Sequence, residues 1–233
     1  MDKRKKTGII LFSISGGLLL AYFLISLLRV DTVHPLFRVG ILILVCILCY
    51  IGVRIYEKTL GRSYVRVVRK RAFILFFALY LLLTFNFTWA DEFYKRERDT
   101  DKLVFELSEE ERQEYFKTSL QTKPFKTVQK YVNGYRDGRV KTETLLRNLA
   151  GNVILLMPLA FFLPLLFDKQ RNFLLFLITA ALVSALIEAV QLVLMIGVCD
   201  VDDLILNTAG AVIAYLLLSL PPIRRLVKLV AFE

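Results

Sequence analysis

The chain has 233 residues, 56% of them hydrophobic and 22% charged, with a formal net charge of +10. Ordinary soluble domains carry fewer apolar residues, and here they fall in blocks of membrane-spanning length, so a water-soluble globular fold is excluded. The high pI, near 9.6, does not call for nucleic acid, because a positive-inside distribution of charge accounts for it.

Uncharged apolar runs occur at about Gly8 to Leu28, Val39 to Val53, Ala72 to Ala90, Leu149 to Phe167, Phe173 to Gly197 and Leu204 to Leu220. A helix needs roughly 20 residues to cross a hydrocarbon core of about 30 Å. The runs therefore predict an all-α, polytopic transmembrane helix bundle of about six helices. The first follows Lys3, Arg4, Lys5 and Lys6, which resembles a secretory signal. It is longer than a signal core and lacks a small-x-small cleavage site, so a retained anchor is expected. Within it, Ser13 and Gly17 form a small-xxx-small pair expected at a helix contact. The second run spans only if Leu36, Phe37, Ile55 and Tyr56 join it, with Arg38 and Arg54 snorkelling to the interfaces.

Charge sets the orientation. With the N-terminus inside, the cytoplasmic segments collect sixteen basic residues, opposed there only by Asp2, Glu57, Asp168 and Glu233. Both termini are then cytoplasmic in a multi-pass membrane protein, and anionic membrane lipid is the expected partner rather than nucleic acid. The predicted organisation is an N-terminal two-helix segment over 1–71 with a basic cytoplasmic loop, a membrane domain over 72–220 and a cytoplasmic tail over 221–233.

The stretch from Asp91 to Arg147, with mixed charges, is expected as an extracellular helical loop within that domain. Ser108 and Glu111 have the form of a capping box, predicting a helix from Glu109 to about Leu120. A second helix is expected over Val128 to Tyr131, with a turn at Gly134 to Gly138. The loop is too small for an independent domain and is expected to cap the mouth of the bundle. Cys46 and Cys49 make a CxxC in an apolar helix, where nothing stabilises a thiolate, so they are expected to be inert. Cys199 is alone, and His34 beside Pro35 reads as a turn residue. No His or Cys cluster suits zinc.

The candidate chemistry lies between Arg147 and Asn207. Asn148 and Asn152 stand four apart on the fourth helix, with Asn152 about 7 Å below Arg147. On the fifth, Ser184, Glu188 and Gln191 share a face, and Glu188 is expected about 13 Å from an outer end at Gly197, near the midplane. On the sixth, Asp203, Asn207, Gly210 and Ala214 form one face. Lipid cannot hydrogen-bond these side chains, so they must meet one another or line a shared pocket. Glu188 is a functional candidate by default, including a catalytic one; the plain alternative is that Arg147, Asn152 and Gln191 satisfy it and lock the helices together. Asp200, Asp202 and Asp203 also suit the N-terminus of the sixth helix as caps. An oxygen-rich set of Glu188, Asp200, Asp202, Asp203 and Asn207 would take a hard divalent cation, with Glu188, Asp202 and Asp203 foremost, but the spacing defines no known cage.

At these residues the sequence resembles the VanZ-like membrane protein family. The matching pieces are Pro124-Phe125-Lys126-Thr127-Val128, then Asn148-Leu149-Ala150-Gly151-Asn152 running into Met157-Pro158-Leu159. Next come Ser184-Ala185-Leu186-Ile187-Glu188 with Gln191, and finally Asp200 to Thr208 with Gly210 and Tyr215. They cover about Ala72 to Leu220. The family pattern often has an Arg three residues before the first Asp, where this chain has Gly197. A more negative pocket is implied, favouring a cation, unless Arg147 substitutes.

The family is named for an accessory protein of glycopeptide resistance in Gram-positive bacteria, associated with resistance to teicoplanin, a lipoglycopeptide. The resemblance implies a non-enzymatic cell-envelope protein that binds or shields a lipid or lipid-tailed antibiotic at the outer leaflet. Arg147, Asn148, Asn152, Ser184, Glu188, Gln191, Asp200, Asp202, Asp203 and Asn207 would line the pocket, and no cofactor is implied. The alternative is an intramembrane enzyme acting on a lipid-linked cell-wall precursor through Glu188 and the Asp200, Asp202 and Asp203 cluster. Against it stand the lack of a phosphate-binding Gly-rich loop and of a Ser-His pair. A transporter would call for an inverted repeat, which the halves do not show.

Overall fold

Residues 3–27, 35–59, 62–90 and 107–230 are described by the structure, a computed structural model. The expectations for His34, for the Arg38 side chain and for 91–106 lie outside the described residues. Helix dominates because a buried or lipid-exposed backbone must satisfy its own amides. The helices are α1 (Lys3–Leu27), α2 (Pro35–Glu57), α3 (Arg62–Phe85, continued by a π turn Asn86–Ala90), α4 (Glu109–Thr118), α5 (Lys126–Arg136), α6 (Thr142–Leu155), α7 (Leu159–Leu166), α8 (Phe173–Val193), α9 (Val201–Ser219) and α10 (Pro221–Val230). A two-residue strand β1 (Leu120–Gln121) pairs in parallel with β2 (Cys199–Asp200).

Among the described residues, four helical stretches are long and apolar enough to cross a membrane: Val65–Trp89, Thr142–Leu166, Phe173–Val193 and Val201–Ser219. Lys6–Leu19 within α1 is a shorter apolar stretch. The spanning helices are apolar on their exposed sides as well, as at Leu182, Leu186 and Leu216. A soluble bundle would place polar residues there, whereas a membrane-embedded one has no reason to.

The chain divides after Ala78 into two units, with α3 running through the division. In the first, α1 and α2 pack where small residues let backbones approach: a Cβ added at Gly8 would lie 3.3 Å from Tyr56 Cβ, and one at Gly52 3.4 Å from Leu11 Cβ. Ser15 is buried and bonds the Leu11 carbonyl at 2.8 Å. Ser13 and Gly17 are exposed, so the small-residue contact is made by Gly8 and Gly52 instead of the predicted pair. Glu57, buried at the end of α2, accepts two bonds from Arg69 of α3, Nε to Oε1 at 2.7 Å and Nη2 to Oε2 at 2.9 Å, and one from Arg54 at 3.4 Å. Cys49 is buried and Cys46 partly so, both as free thiols.

The second unit holds the described residues of Leu79–Leu229. Its core contains Leu156, Leu159 and Phe176, the last stacked on Tyr215 at 4.5 Å between centroids. Tyr80 near the end of α3 bonds the Leu155 carbonyl at 2.9 Å and stacks on Phe162.

Several elements depart from expectation for local reasons. α3 begins ten residues before its apolar run, because Arg and Lys are good helix formers and carry the helix beyond the apolar stretch. The fourth apolar run is two helices, broken between Leu155 and Leu159 where Pro158 has no amide to give. α8 stops at Val193 rather than near Gly197: the chain turns with Met195 at φ 53° and leads into β2. Gly134 lies inside α5 rather than in a turn; a side chain there would meet Val140 Cγ2 at 2.6 Å, and the turn falls at Asp137 and Gly138. The capping box is present, with Glu111 N–H to Ser108 Oγ at 3.2 Å and Ser108 N–H to the Glu111 carboxylate at 2.8 Å.

Candidate functional site

The polar residues of the second unit collect where α8 ends and α9 begins. Because α8 ends at Val193, Glu188 lies five residues, about 7.5 Å, from the helix end rather than at 13 Å. The connection folds back, and the buried Glu188 carboxylate accepts the Asp200 N–H at 3.0 Å. Asp200 caps α9, its own carboxylate accepting the Asp202 N–H at 2.9 Å. The first acid thus holds the backbone of the second, and the second that of the third.

Asp202, only 1% exposed, reaches a different segment. Its Oδ1 accepts the Phe125 N–H, and its Oδ2 accepts the N–H groups of Thr127 (2.7 Å) and Val128 (3.0 Å). These amides open α5, whose own N-cap, Phe125, supplies no side-chain cap and sits at φ 62° in the left-handed region. A carboxylate from elsewhere in the chain therefore caps the helix and complements its dipole. Together with the β1–β2 pair and the Cys199 N–H bonded to the Ser119 carbonyl at 2.9 Å, it fastens residues 107–141 to the start of α9. Tyr115 adds its hydroxyl, which donates to the Gly197 carbonyl and accepts the Gly197 N–H at 3.1 Å. The segment caps this end of the bundle.

Asp203 accepts a bond from the Asn152 amide of α6. One and two turns deeper, Asn207 Nδ2 donates to Ser184 Oγ at 3.1 Å, and Gly210 lies so close to α6 that a Cβ would overlap the Val153 carbonyl. Asn207 Oδ1 is buried with no bond from a described residue. The predicted single face of α9 therefore serves two neighbours, α6 through Asp203 and Gly210 and α8 through Asn207. Gln191 donates to the Thr88 carbonyl at 3.0 Å, and Trp89 donates to the Ile187 carbonyl at 3.4 Å.

Two predicted lining residues are not part of this network. Arg147 is about three-quarters exposed and pairs with Glu143 at 3.0 Å, so it neither satisfies Glu188 nor replaces an arginine at Gly197. Asn148 turns its amide onto the Thr144 carbonyl at 2.7 Å. Among the described residues, no three His, Cys, Asp or Glu side chains stand together as a metal-ligand set. Glu188, Asp202 and Asp203 instead each take a different partner. Outside the spanning helices, burial and then Asp203 and Asp200 raise the Tyr131 phenol. Burial, and then Glu188 and Asp200, raise the Cys199 thiol, which disfavours its thiolate.

Sequence reasoning passed over Thr88, Trp89, Tyr115 and Ser119. Of these, Tyr115 carries a readable signal: it sits on the helix that Ser108 and Glu111 start, where an aromatic needs a surface to pack on.

No curated protein and no solved structure matches the chain at a significant level. Residues 77–222 match the VanZ/LLP1 family, a span that contains the cap, the acidic triplet and all the helices they tie together. That match covers more than half of the sequence, and the chain belongs to the VanZ/LLP1 family of membrane proteins.

Proposed function

We propose that the protein binds or shields a lipid, or a lipid-tailed glycopeptide antibiotic such as teicoplanin, at the outer leaflet of a bacterial plasma membrane, without turnover. In this reading six helices span the membrane, both termini are cytoplasmic, and the 107–141 cap lies outside. The observation that carries it is the fastening of the cap by Asp202. A segment held this firmly against the end of membrane helices offers a pre-organised surface beside the headgroups.

That surface suits an amphiphile. Phe116, Leu120 and Phe125 are between about two-fifths and three-fifths exposed, and Lys117, Lys123 and Lys126 are interspersed with them. Apolar contact with an acyl tail and cationic contact with an acidic headgroup would add. The non-enzymatic reading draws support from the engagement of the acids: Asp202 uses both oxygens on backbone amides, Asp200 caps a helix, and Asp203 is tied to Asn152. Groups committed to holding backbone in place are poorly placed to shuttle protons.

The test is drug susceptibility of a Gram-positive host expressing wild type or Phe116→Asp with Leu120→Asp, with membrane levels matched. Selective protection against teicoplanin over vancomycin by wild type, lost in the variant, is the expected result. Protection that the variant retains removes the cap surface from the mechanism. Turnover of lipid-linked precursor by purified wild type, abolished in a stably folded Glu188→Gln protein, would replace this reading with the intramembrane enzyme.

A further inference from the structure

The tail expected after the last membrane run is a helix. α9 ends at Ser219, Leu220 is extended at φ −60° and ψ 135°, and α10 starts at Pro221. The two prolines explain both events: Pro221 forces the residue before it out of the helical region, and a first-turn proline is pre-set for a new helix. The first new amide bond is Arg224 N–H to the Leu220 carbonyl at 2.8 Å.

Position and pattern then converge. At 19 residues α9 is about 28 Å long, close to the thickness of a hydrocarbon core, so Ser219 and Leu220 fall where acyl chains meet headgroups. α10 leaves from that depth. Ile223, Leu226 and Val227 share one face by i, i+3, i+4 spacing, and the adjacent Arg224 and Arg225 lie on the other, both exposed. Leu226 is 62% exposed, and Ile223 and Val227 are half-buried.

We propose that α10 is an interfacial helix lying on the membrane surface where α9 ends, with Ile223, Leu226 and Val227 sunk among acyl chains and Arg224 and Arg225 on anionic phospholipid headgroups. A short helix with a strongly apolar face and a cationic one is stable in that plane. The two arginines make its docking selective for negatively charged lipid. This rests on the membrane-spanning reading of α9 and on nothing at the acidic cluster. Its consequence is that the lipid composition of one leaflet fixes the end of α9, the helix that carries the acidic triplet at its other end.

The test is amide hydrogen exchange of the full chain in nanodiscs of phosphatidylcholine alone or mixed with phosphatidylglycerol. Exchange over 223–230 is expected to be about tenfold slower with phosphatidylglycerol, and Arg224→Gln with Arg225→Gln is expected to erase the difference. Equal protection in both lipids would mean that protein covers the helix, and equal rapid exchange would mean that water does; either overturns the proposal, as does a lipid difference that survives the double variant. Amides of α9 over 204–216 report separately on the spanning reading: they stay protected in both discs if it holds, and exchange freely if it is that reading which has failed.

Discussion

In the first unit α1 and α2 meet through small residues, Gly8 against Tyr56 and Gly52 against Leu11, and one buried acid at the end of α2, Glu57, is held by Arg54 and by Arg69 of α3. In the unit of α6 to α9 the same close approach occurs once, at Gly210 on Val153, and is surrounded by polar links: Asp203 to Asn152, Asn207 to Ser184, Glu188 to the Asp200 amide. Lipid is as apolar as Leu, so the spanning helices α6 to α9 are not driven together by burying hydrophobic surface. What differs is the means. Two helices need only a groove, whereas three or more helices carrying a cap need fixed rotations about each axis, which directional bonds supply.

The two regions differ most sharply in what a glycine substitution costs. Gly210→Ala is expected to cost about 3 kcal/mol, because backbone rather than a flexible side chain occupies the space. Gly17→Ala, with nothing within 4 Å, is expected to stay within about 0.5 kcal/mol of wild type. Thermal unfolding of the two purified variants decides it, and equal losses would remove Gly210 as a contact. Next in size is Glu57→Gln, expected to cost about 2 kcal/mol because it leaves the partly buried Arg69 without its carboxylate. Denaturant titration would show this, and an unchanged midpoint would mean that water already screens the pair. Smallest is the coupling of Ser184 and Asn207. A double-mutant cycle to Ala is expected to give about 0.6 kcal/mol, the usual size of such bonds between membrane helices. A coupling of zero would assign the pair no role in setting the rotation of α9 against α8.

The apolar helices were legible in the sequence because hydropathy over 20 residues leaves few alternatives, and the capping box at Ser108 was legible because its bonds are local. Their ends were less so. The run from Leu192 to Gly197 is apolar whether it continues a helix or turns back, so nothing marked Val193 as the last residue of α8 or brought Glu188 close to the end. Which small residues of α1 face α2 was equally hidden, since Ser13, Gly17, Gly8 and Ser15 all suit a contact and only packing chooses among them. At the site, the acids and the Pro124–Val128 stretch each stand out in the sequence, but their meeting spans 74 or more residues. Helical spacing says which residues share a face, not which distant backbone amides an acid will hold. Arg147 shows the converse: charge suggested a partner for Glu188, but an exposed helix face and a nearby Glu143 offered it an easier one.

If Asp202 is the fastening of the cap, site-resolved amide exchange of wild type and Asp202→Asn in nanodiscs reads it out at the amides it holds. Faster exchange is expected at Phe125, Thr127 and Val128 in the variant, spreading along α5, while α8 and the deeper turns of α9 keep their protection. Unchanged protection at those three amides would contradict it, and would leave the β1–β2 pair and Tyr115 to hold the cap without the acid.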